Sequence, residues 1–216
     1  MSAMTDAPLF RRTQAERRVE TRRRVLEAAT SLVAAHGSRA VSLAAVGEAA
    51  GYSRGIVNHH FGSKAQLLEE LLSYTQQFDV PTDSPTGLGR LTQFVETYLA
   101  GMHERSPRSE AFLKLWTEST GAETSLAPLF AERDASFREF LAQHVQDGVS
   151  DGSIAVGIDP HLTAVAIIGL LRGTAMMLGS TARDVSVADL SAEVARSVGR
   201  SLAAEPQTPS ARTSTG

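Results

Sequence analysis

Five polar side chains that can contact DNA fall within one short stretch, SRGIVNHHF, which begins at Ser53. Arg54 can donate two hydrogen bonds to O6 and N7 of guanine, and Asn58 can pair in the same bidentate way with adenine. Arg54 can equally bind a phosphate, while Asn58 can bind a phosphate or cap local backbone. The residue types therefore indicate nucleic-acid contact, by base or by phosphate.

The adjacent histidines, His59 and His60, also suggest a metal site. Neighbouring residues on a helix point about 100° apart, so two such imidazoles cannot chelate one ion well. The chain contains no cysteine, and no carboxylate completes a ligand set. We therefore predict no metal site and assign both histidines to DNA contact.

Lys64 begins a predicted helix, an end where the helix dipole disfavours a cation. A phosphate bound there by backbone N–H groups and by the Lys64 ammonium would remove this conflict. The predicted DNA-contacting set is Ser42, Ser53, Arg54, Gly55, Asn58, His59, His60 and Lys64.

Two short helices joined by a tight turn would position these side chains. Ser42 and Ser53 are suitable N-caps, and Gly51 can adopt the left-handed conformation that ends the first helix. Gly47 costs roughly 1 kcal/mol of helix propensity, so close packing is the expected reason for it. A helix-turn-helix lays its second helix in the major groove of DNA. The predicted inner face of that second helix is Ile56, Val57 and Phe61.

The run SRGIVNHHFGSK, preceded by Val41-Ser42 and Gly51-Tyr52, resembles the DNA-binding domain of the tetracycline-repressor (TetR) family. The resemblance extends from about Val25 to Leu72, which is under a third of the chain. Its order of small residue, Gly, Ser, Gly, aliphatic residue, His-Phe and Ser-Lys is specific.

Two positions depart from the family pattern. Asn58 stands where the family usually has tyrosine, and Ala44 stands where many members carry a longer polar side chain. The resemblance implies that His60 touches phosphate and that Lys64 helps to bind one. It also implies a homodimeric regulator that a small ligand releases from DNA.

Aromatic side chains gather on three predicted helices of the C-terminal two thirds. For any one of them an ordinary core position is the better interpretation, but as a set they can line a pocket. The resemblance implies that a mostly apolar effector binds between such helices. The predicted ligand-binding set is Tyr98, Met102, Phe112, Trp116, Phe137, Phe140 and His144.

The last two predicted helices, residues 159–179 and 188–203, carry more apolar surface than a single domain needs. By resemblance they form a four-helix interface between two copies of the chain. Arg172 interrupts the first of them. It can meet an anionic effector or form an ion pair between helices or between subunits.

Charge is distributed unevenly along the chain. Residues 1–64 contain 10 Lys and Arg against 5 Asp and Glu, whereas the remainder contains 11 against 19. A basic N-terminal third suits phosphate contact, although a solvated charged helix would look the same. No stretch resembles a signal peptide, and the longest apolar run, Leu162–Leu171, is too short to span a bilayer. We therefore predict a cytoplasmic protein with no membrane partner.

The positions of helix-capping and helix-breaking residues predict an all-α protein with about nine helices. Thr13 with Glu16 and Ser63 with Gln66 have the capping-box spacing. Phe78 is predicted to face inward on the fourth helix. The predicted division is a DNA-binding domain at 13–63, a ligand-binding and dimerisation domain at 64–204, and disordered tails at 1–12 and 205–216.

Enzyme interpretations find little support. No nucleophile sits beside a plausible base, and no phosphate-binding glycine loop appears. We therefore predict a transcription regulator, not an enzyme, with no cofactor. The alternative is a helical small-molecule-binding or carrier protein without specific DNA readout.

Overall fold

Nine α-helices and one short 3-10 turn, Ser38–Ala40, make up the described part of the chain. The computed structural model describes residues 13–75, 83–103, 106–121, 126–180 and 184–205. The helices are α1 (Gln14–His36), α2 (Leu43–Ala50), α3 (Arg54–Phe61), α4 (Lys64–Thr75), α5 (Gly87–His103), α6 (Pro107–Ser119), α7 (Ala127–Asp151), α8 (Pro160–Ser180) and α9 (Val187–Leu202). The all-α prediction is confirmed over these ranges, where extended pairing is limited to one isolated bridge between Ile154 and Ala203.

Some predictions concern residues outside the described ranges. These are the tails at 1–12 and 206–216 and the inward position of Phe78.

The chain divides into two compact units. Of the described residues, the first unit contains 13–75 together with Glu110–Glu118, and the second contains the rest. Helix α4 is thus grouped with the N-terminal helices. The functional boundary predicted at residue 64 stays a prediction.

Serine and threonine side chains start the helices of the first unit as predicted. The Thr13 hydroxyl accepts from the Glu16 backbone N–H at 3.2 Å, and the Glu16 carboxylate accepts from the Thr13 N–H at 2.7 Å. Ser42 accepts from the N–H of Ala45, and Ser53 caps α3 in the same way. Each cap satisfies a backbone donor that has no intrahelical partner.

The Ser63–Gln66 capping box is only half formed, so that prediction is corrected. The Ser63 hydroxyl accepts from the Gln66 N–H at 3.2 Å and donates to Gln66 Oε1 at 3.0 Å. The Ser63 backbone N–H donates instead to the Phe61 carbonyl. The tight turn out of α3 has therefore already used the donor that the glutamine would have bound.

The predicted apolar stripes form the core of the first unit. Val25, Ala29 and Val33 of α1 are fully buried. So are the two leucine pairs of α4, Leu67–Leu68 and Leu71–Leu72, which are at most 3% exposed. Helix α1 packs against both α2 and α4.

Two charged side chains of α6 attach Glu110–Glu118 to the end of α1. The Lys114 ammonium donates to the carbonyl oxygens of Ala34 and Ala35, where α1 leaves its last C=O groups without helical partners. The Glu118 carboxylate accepts from the Ser38 N–H, 3.2 Å from each oxygen. Lysine and glutamate thus bracket the turn that ends α1.

Helix α5 is the centre of the second unit, with α7, α8 and α9 packed against it. Two glycines allow α5 and α7 to cross closely, since a Cβ on Gly87 would lie 2.2 Å from the Gly148 backbone nitrogen. Asp151 and Ser153, just beyond this crossing, accept hydrogen bonds from the first N–H groups of α5.

Candidate DNA-binding surface and ligand site

The turn between α2 and α3 fixes how α3 is presented. The Tyr52 N–H donates to the Gly47 carbonyl at 2.7 Å, and a Cβ on Gly47 would lie 2.8 Å from the Tyr52 oxygen. Gly51 ends α2 with φ 76° and ψ 28°, the left-handed conformation that the sequence predicted. Gly47 is therefore required by the close approach of the Tyr52 backbone, and Gly51 by its positive φ.

Helix α3 has one buried side and one exposed side. Val57 and Phe61 are buried, as predicted. Arg54, Asn58 and His59 are exposed, together with the capping residue Ser53 and Gly55.

Ile56 does not belong to the inner face, and its assignment there is wrong. It is 41% exposed. Because Val57 and Phe61 lie four residues apart and already define the inner side, the helical period turns Ile56 about 100° away from Val57.

A groove of about 740 Å³ runs between the first half of α1 and α3. Helix α3 contributes Gly55, Ile56, His59 and His60, while α1 contributes polar and basic side chains that the sequence analysis did not assign to DNA. The lining residues of α1 include Gln14, Arg17, Arg18 and Thr21. The excess of arginine in α1 was the available signal, but it indicated only that the N-terminal third suits phosphate contact and not which residues line the groove.

His60 is half-buried beside this groove. Its pKa is lowered below its ordinary value, first by burial and then by the charges of His59, Arg18 and Arg22. The Arg22 guanidinium donates to the His60 carbonyl at 3.4 Å and lies 5.0 Å from the centre of the Phe61 ring. Burial and the neighbouring cations therefore favour the neutral imidazole, and either protonation state has an N–H that can be donated to a phosphate.

Lys64 is exposed and is the first residue of α4. Ser42 is likewise exposed, at the start of α2. All eight predicted DNA-contacting residues thus lie in the first unit, and none is fully buried.

Five of the seven predicted ligand-binding residues lie in the second unit, on α5 and α7. Tyr98 stacks on Phe137 with ring centres 6.1 Å apart, and the Phe140 and His144 rings are 4.4 Å apart. Phe94, which is not in the predicted ligand-binding set, joins this cluster with its ring centre 5.2 Å from that of Phe140. Met102, the fifth, is buried on α5.

The two remaining predicted residues stand on the part of α6 that belongs to the first unit. Phe112 is buried and Trp116 is half-buried there. That they share a pocket with the other five stays a prediction.

Arg172 forms an ion pair between helices, one of the alternatives that the sequence left open. It is 5% exposed and donates two hydrogen bonds to Asp134 of α7. Tyr98 hydrogen-bonds to the same arginine, while burial raises the Tyr98 pKa to about 12. The tyrosine is therefore a neutral phenol at any physiological pH.

One face of α8 leaves large apolar side chains exposed. Leu162 is 71% and Val165 53% exposed, and Leu170, Met176 and Met177 follow them. By length and composition alone α8 could cross a membrane, a test that core helices of soluble proteins also pass. On α9, by contrast, Leu190 and Val194 are half-buried and Val198 is buried.

Sequence comparisons link both parts of the chain to bacterial regulators. The family model for bacterial regulatory proteins, tetR family, matches residues 25–71. The model for the C-terminal part of BetI-type transcriptional repressors matches residues 88–204.

Individual relatives agree with these matches. The chain is 24% identical over 158 residues to the HTH-type transcriptional regulator UidR of Escherichia coli strain K12, covering 71% of this chain and 79% of UidR. It is 26% identical over 168 residues to SrpR of Pseudomonas putida, covering 76% and 78%. CymR of Pseudomonas putida is 45% identical over 58 residues, or 27% of this chain and 29% of CymR.

Solved structures share the fold. A TetR-family regulator from Rhodococcus sp. superposes with a TM-score of 0.72 at 23% identity, covering 83% of this chain and 97% of that one. FadR from Bacillus subtilis, solved in complex with stearoyl-CoA, superposes with a TM-score of 0.67 at 16% identity, covering 82% and 96%. At these identities the comparison shows the fold alone.

Proposed function

The chain belongs to the tetR family of bacterial regulatory proteins, and on that premise we propose that it represses transcription from a near-palindromic operator until a small molecule releases it. It is a DNA-binding transcriptional regulator. The observation that carries the proposal is the two-sided character of α3, where Val57 and Phe61 are buried and Arg54 and Asn58 point outward. A helix held this way has an outer face free to enter the major groove.

The exposed residues divide into two roles. Arg54 and Asn58, one turn apart, read base edges. His60, Lys64 and the arginines of α1 that line the groove bind phosphate and set the register of α3 on the duplex. Asn58 replaces the tyrosine usual in the family, so its contact is proposed for this chain in particular.

The second unit binds the effector, in this proposal, near the cluster of Phe94, Tyr98, Phe137 and Phe140. Such a wall of aromatic side chains with a few polar groups suits a mostly apolar molecule. The stearoyl-CoA bound by FadR supports the idea that this fold can hold a ligand.

Two copies associate through α8 and α9. The exposed apolar face of α8 supports this, since such a row of large side chains marks an interface. A two-fold axis would then present two α3 helices to two half-sites, one helical turn of DNA or a multiple of it apart. The protein acts in the cytoplasm, where its operator lies.

Two substitutions test the DNA contacts on a duplex selected by the wild-type protein from a random pool. Arg54→Ala should cost about 1–3 kcal/mol and relax preference at one base position per half-site, because a bidentate base contact is lost. Lys64→Ala should weaken all duplexes alike and reduce the salt slope by about 1 per site, because only a phosphate contact is lost. Gel shifts at several salt concentrations measure both effects.

Arg138→Ala is the matched control, since Arg138 is an exposed arginine of the second unit. It should leave both affinity and preference unchanged. If Arg54→Ala and Arg138→Ala behave alike, α3 does not read bases. The alternative of a carrier protein without specific readout would then be favoured.

A further inference from the structure

One charged pair lies inside the second unit. Arg172 stands in the middle of α8, and its Nη1 donates to Asp134 Oδ2 at 2.7 Å while its Nη2 donates to Oδ1. The arginine is 5% exposed, but the Asp134 side chain is 24% exposed. The cation is thus fixed in the interior, whereas the anion lies within reach of water.

This pair adjoins the aromatic cluster. Tyr98, which hydrogen-bonds to Arg172, stacks on Phe137 and lies 5.9 Å from Phe94. Phe137 in turn follows Asp134 by one turn of α7. The guanidinium therefore lies at one end of the aromatic cluster, in contact with it through Tyr98.

Stability alone gives little reason for such a pair. Taking both charges out of water offsets most of their attraction, and apolar side chains in the same place often stabilise a protein as well or better. A buried arginine does require a carboxylate or similar anion. Nothing in the two hydrogen bonds requires that the carboxylate belong to Asp134.

We propose that Arg172 binds the carboxylate of an apolar effector, and that Asp134 holds the same place until the effector arrives. The ligand carboxylate takes over both guanidinium hydrogen bonds, its apolar body lies along the aromatic wall, and Asp134 turns outward into water. The charge around Arg172 is unchanged by the exchange, so its electrostatic cost is small. The inference rests on the proposed function, because it names the chemical class of the small molecule that acts on this regulator.

The exchange also has a structural consequence. Asp134 and Arg172 link α7 to α8, and the incoming carboxylate removes this link. Because α8 carries the exposed apolar face, the change reaches the helix through which two copies are proposed to associate.

Decanoate and 4-phenylbutyrate serve as probes, each compared with its primary amide by calorimetric titration of the full-length protein. Wild type should bind each acid more tightly than its amide. Asp134→Asn removes the internal competitor but keeps the side-chain shape, so the acids should bind roughly ten- to hundredfold more tightly than to wild type. The amides should bind both proteins equally.

Arg172→Met in the Asp134→Asn background removes both charges and so avoids a buried unpaired arginine. It should lose the preference for acid over amide while still binding the amides. Glu132→Gln, at an exposed carboxylate of the same helix, is the control and should behave as wild type.

An Asp134→Asn variant that gains no affinity for either acid would overturn the proposal. So would wild type with no preference for acid over amide, or an acid preference that survives Arg172→Met. Selective DNA binding, measured separately, decides the proposed function. If selective DNA binding is absent while the preference for acid over amide depends on Arg172 as expected, the ligand site is supported and the proposed regulatory role is wrong.

Discussion

Arg54 and Asn58 lie four residues apart on the exposed side of α3, so both can reach the edges of nearby base pairs. Their position depends on a glycine of the preceding helix, Gly47. Gly47 lets the backbone of Tyr52 pass where a Cβ would be 2.8 Å from its oxygen. The lack of a Cβ at Gly47 thus permits the turn that orients α3.

Gly47→Ala separates this packing from helix propensity. Propensity alone predicts a gain of up to about 1 kcal/mol in the free energy of unfolding. The clash with the turn should instead give a loss of about 1–3 kcal/mol, because backbone atoms must move. Urea denaturation followed by circular dichroism measures the difference.

Gly55→Ala is the control for this substitution. A Cβ there would have only the Ser53 hydroxyl within reach, at 3.7 Å, an ordinary contact. It should be neutral or slightly stabilising. If both alanine variants are stabilised, the close approach at Gly47 does not constrain the turn.

At this scale local sequence rules were sufficient for Gly51 and for the caps of α1, α2 and α3, because each depends on neighbours within four residues, but not for the Ser63–Gln66 capping box. Ser42, Ser53 and Gly51 have their predicted roles. Ile56 was assigned to the inner face because it is apolar. Its angular position, about 100° from the adjacent Val57, excludes it from that face. Its exposure leaves an aliphatic side chain in the groove beside α1.

Helix α5 is capped by Thr86, whose hydroxyl accepts from the Gly89 N–H at 3.1 Å, and it takes a second cap from the far end of α7. The Gly87 N–H donates to Asp151 Oδ2 at 2.6 Å, and the Leu88 N–H donates to the Ser153 hydroxyl at 3.1 Å. Capping rules applied along the sequence could not find this, since more than 60 residues separate the partners. The crossing of Gly87 with Gly148 escaped prediction for the same reason, whereas the helices themselves were predicted from periodicity.

This distant cap should make stability depend on pH. Hydrogen bonds from Ser153 and the Gly87 N–H lower the Asp151 pKa below its ordinary value of 3.8. Because the folded carboxyl has the lower pKa, its contribution is complete above the unfolded value and is lost as pH falls through the folded value. Asp151→Asn should therefore be less stable than wild type at pH 7, and the difference should shrink below about pH 4.

Urea denaturation of both proteins between pH 7 and pH 3 measures this difference. Asp184→Asn, an exposed carboxylate in the described part of the second unit, should show no comparable dependence. If the difference in the free energy of unfolding between wild type and Asp151→Asn stays constant across this pH range, the Asp151 cap is not the source of that difference.

At the scale of the whole molecule, the exposed apolar side of α8 supports the proposed association of two copies. The sequence indicated an apolar surplus on the last two helices. The structure assigns most of the exposed part to α8, because Val198 of α9 is buried and Val194 is half-buried. Which of the two helices exposes its apolar side depends on how α8 and α9 pack against α5. The residue pattern along one helix does not contain that information.

Val165→Glu tests the association through α8. Val165 is 53% exposed, so the glutamate should not disturb the folded chain but should repel its copy across a two-fold axis. Sedimentation at micromolar concentration should show dimers for wild type and folded monomers for the variant. Val156→Glu, at a valine that is 93% exposed outside the helices, should stay dimeric.

The most direct measurement of the central claim is the ratio of two affinities of the wild-type protein at one physiological salt concentration. One duplex is selected from a random pool, and the other is the same duplex with its half-sites scrambled. A regulator that reads bases through α3 should bind the selected duplex roughly 10³-fold or more tightly, as a dimer on two symmetric half-sites. Equal affinity for the two duplexes would contradict the account.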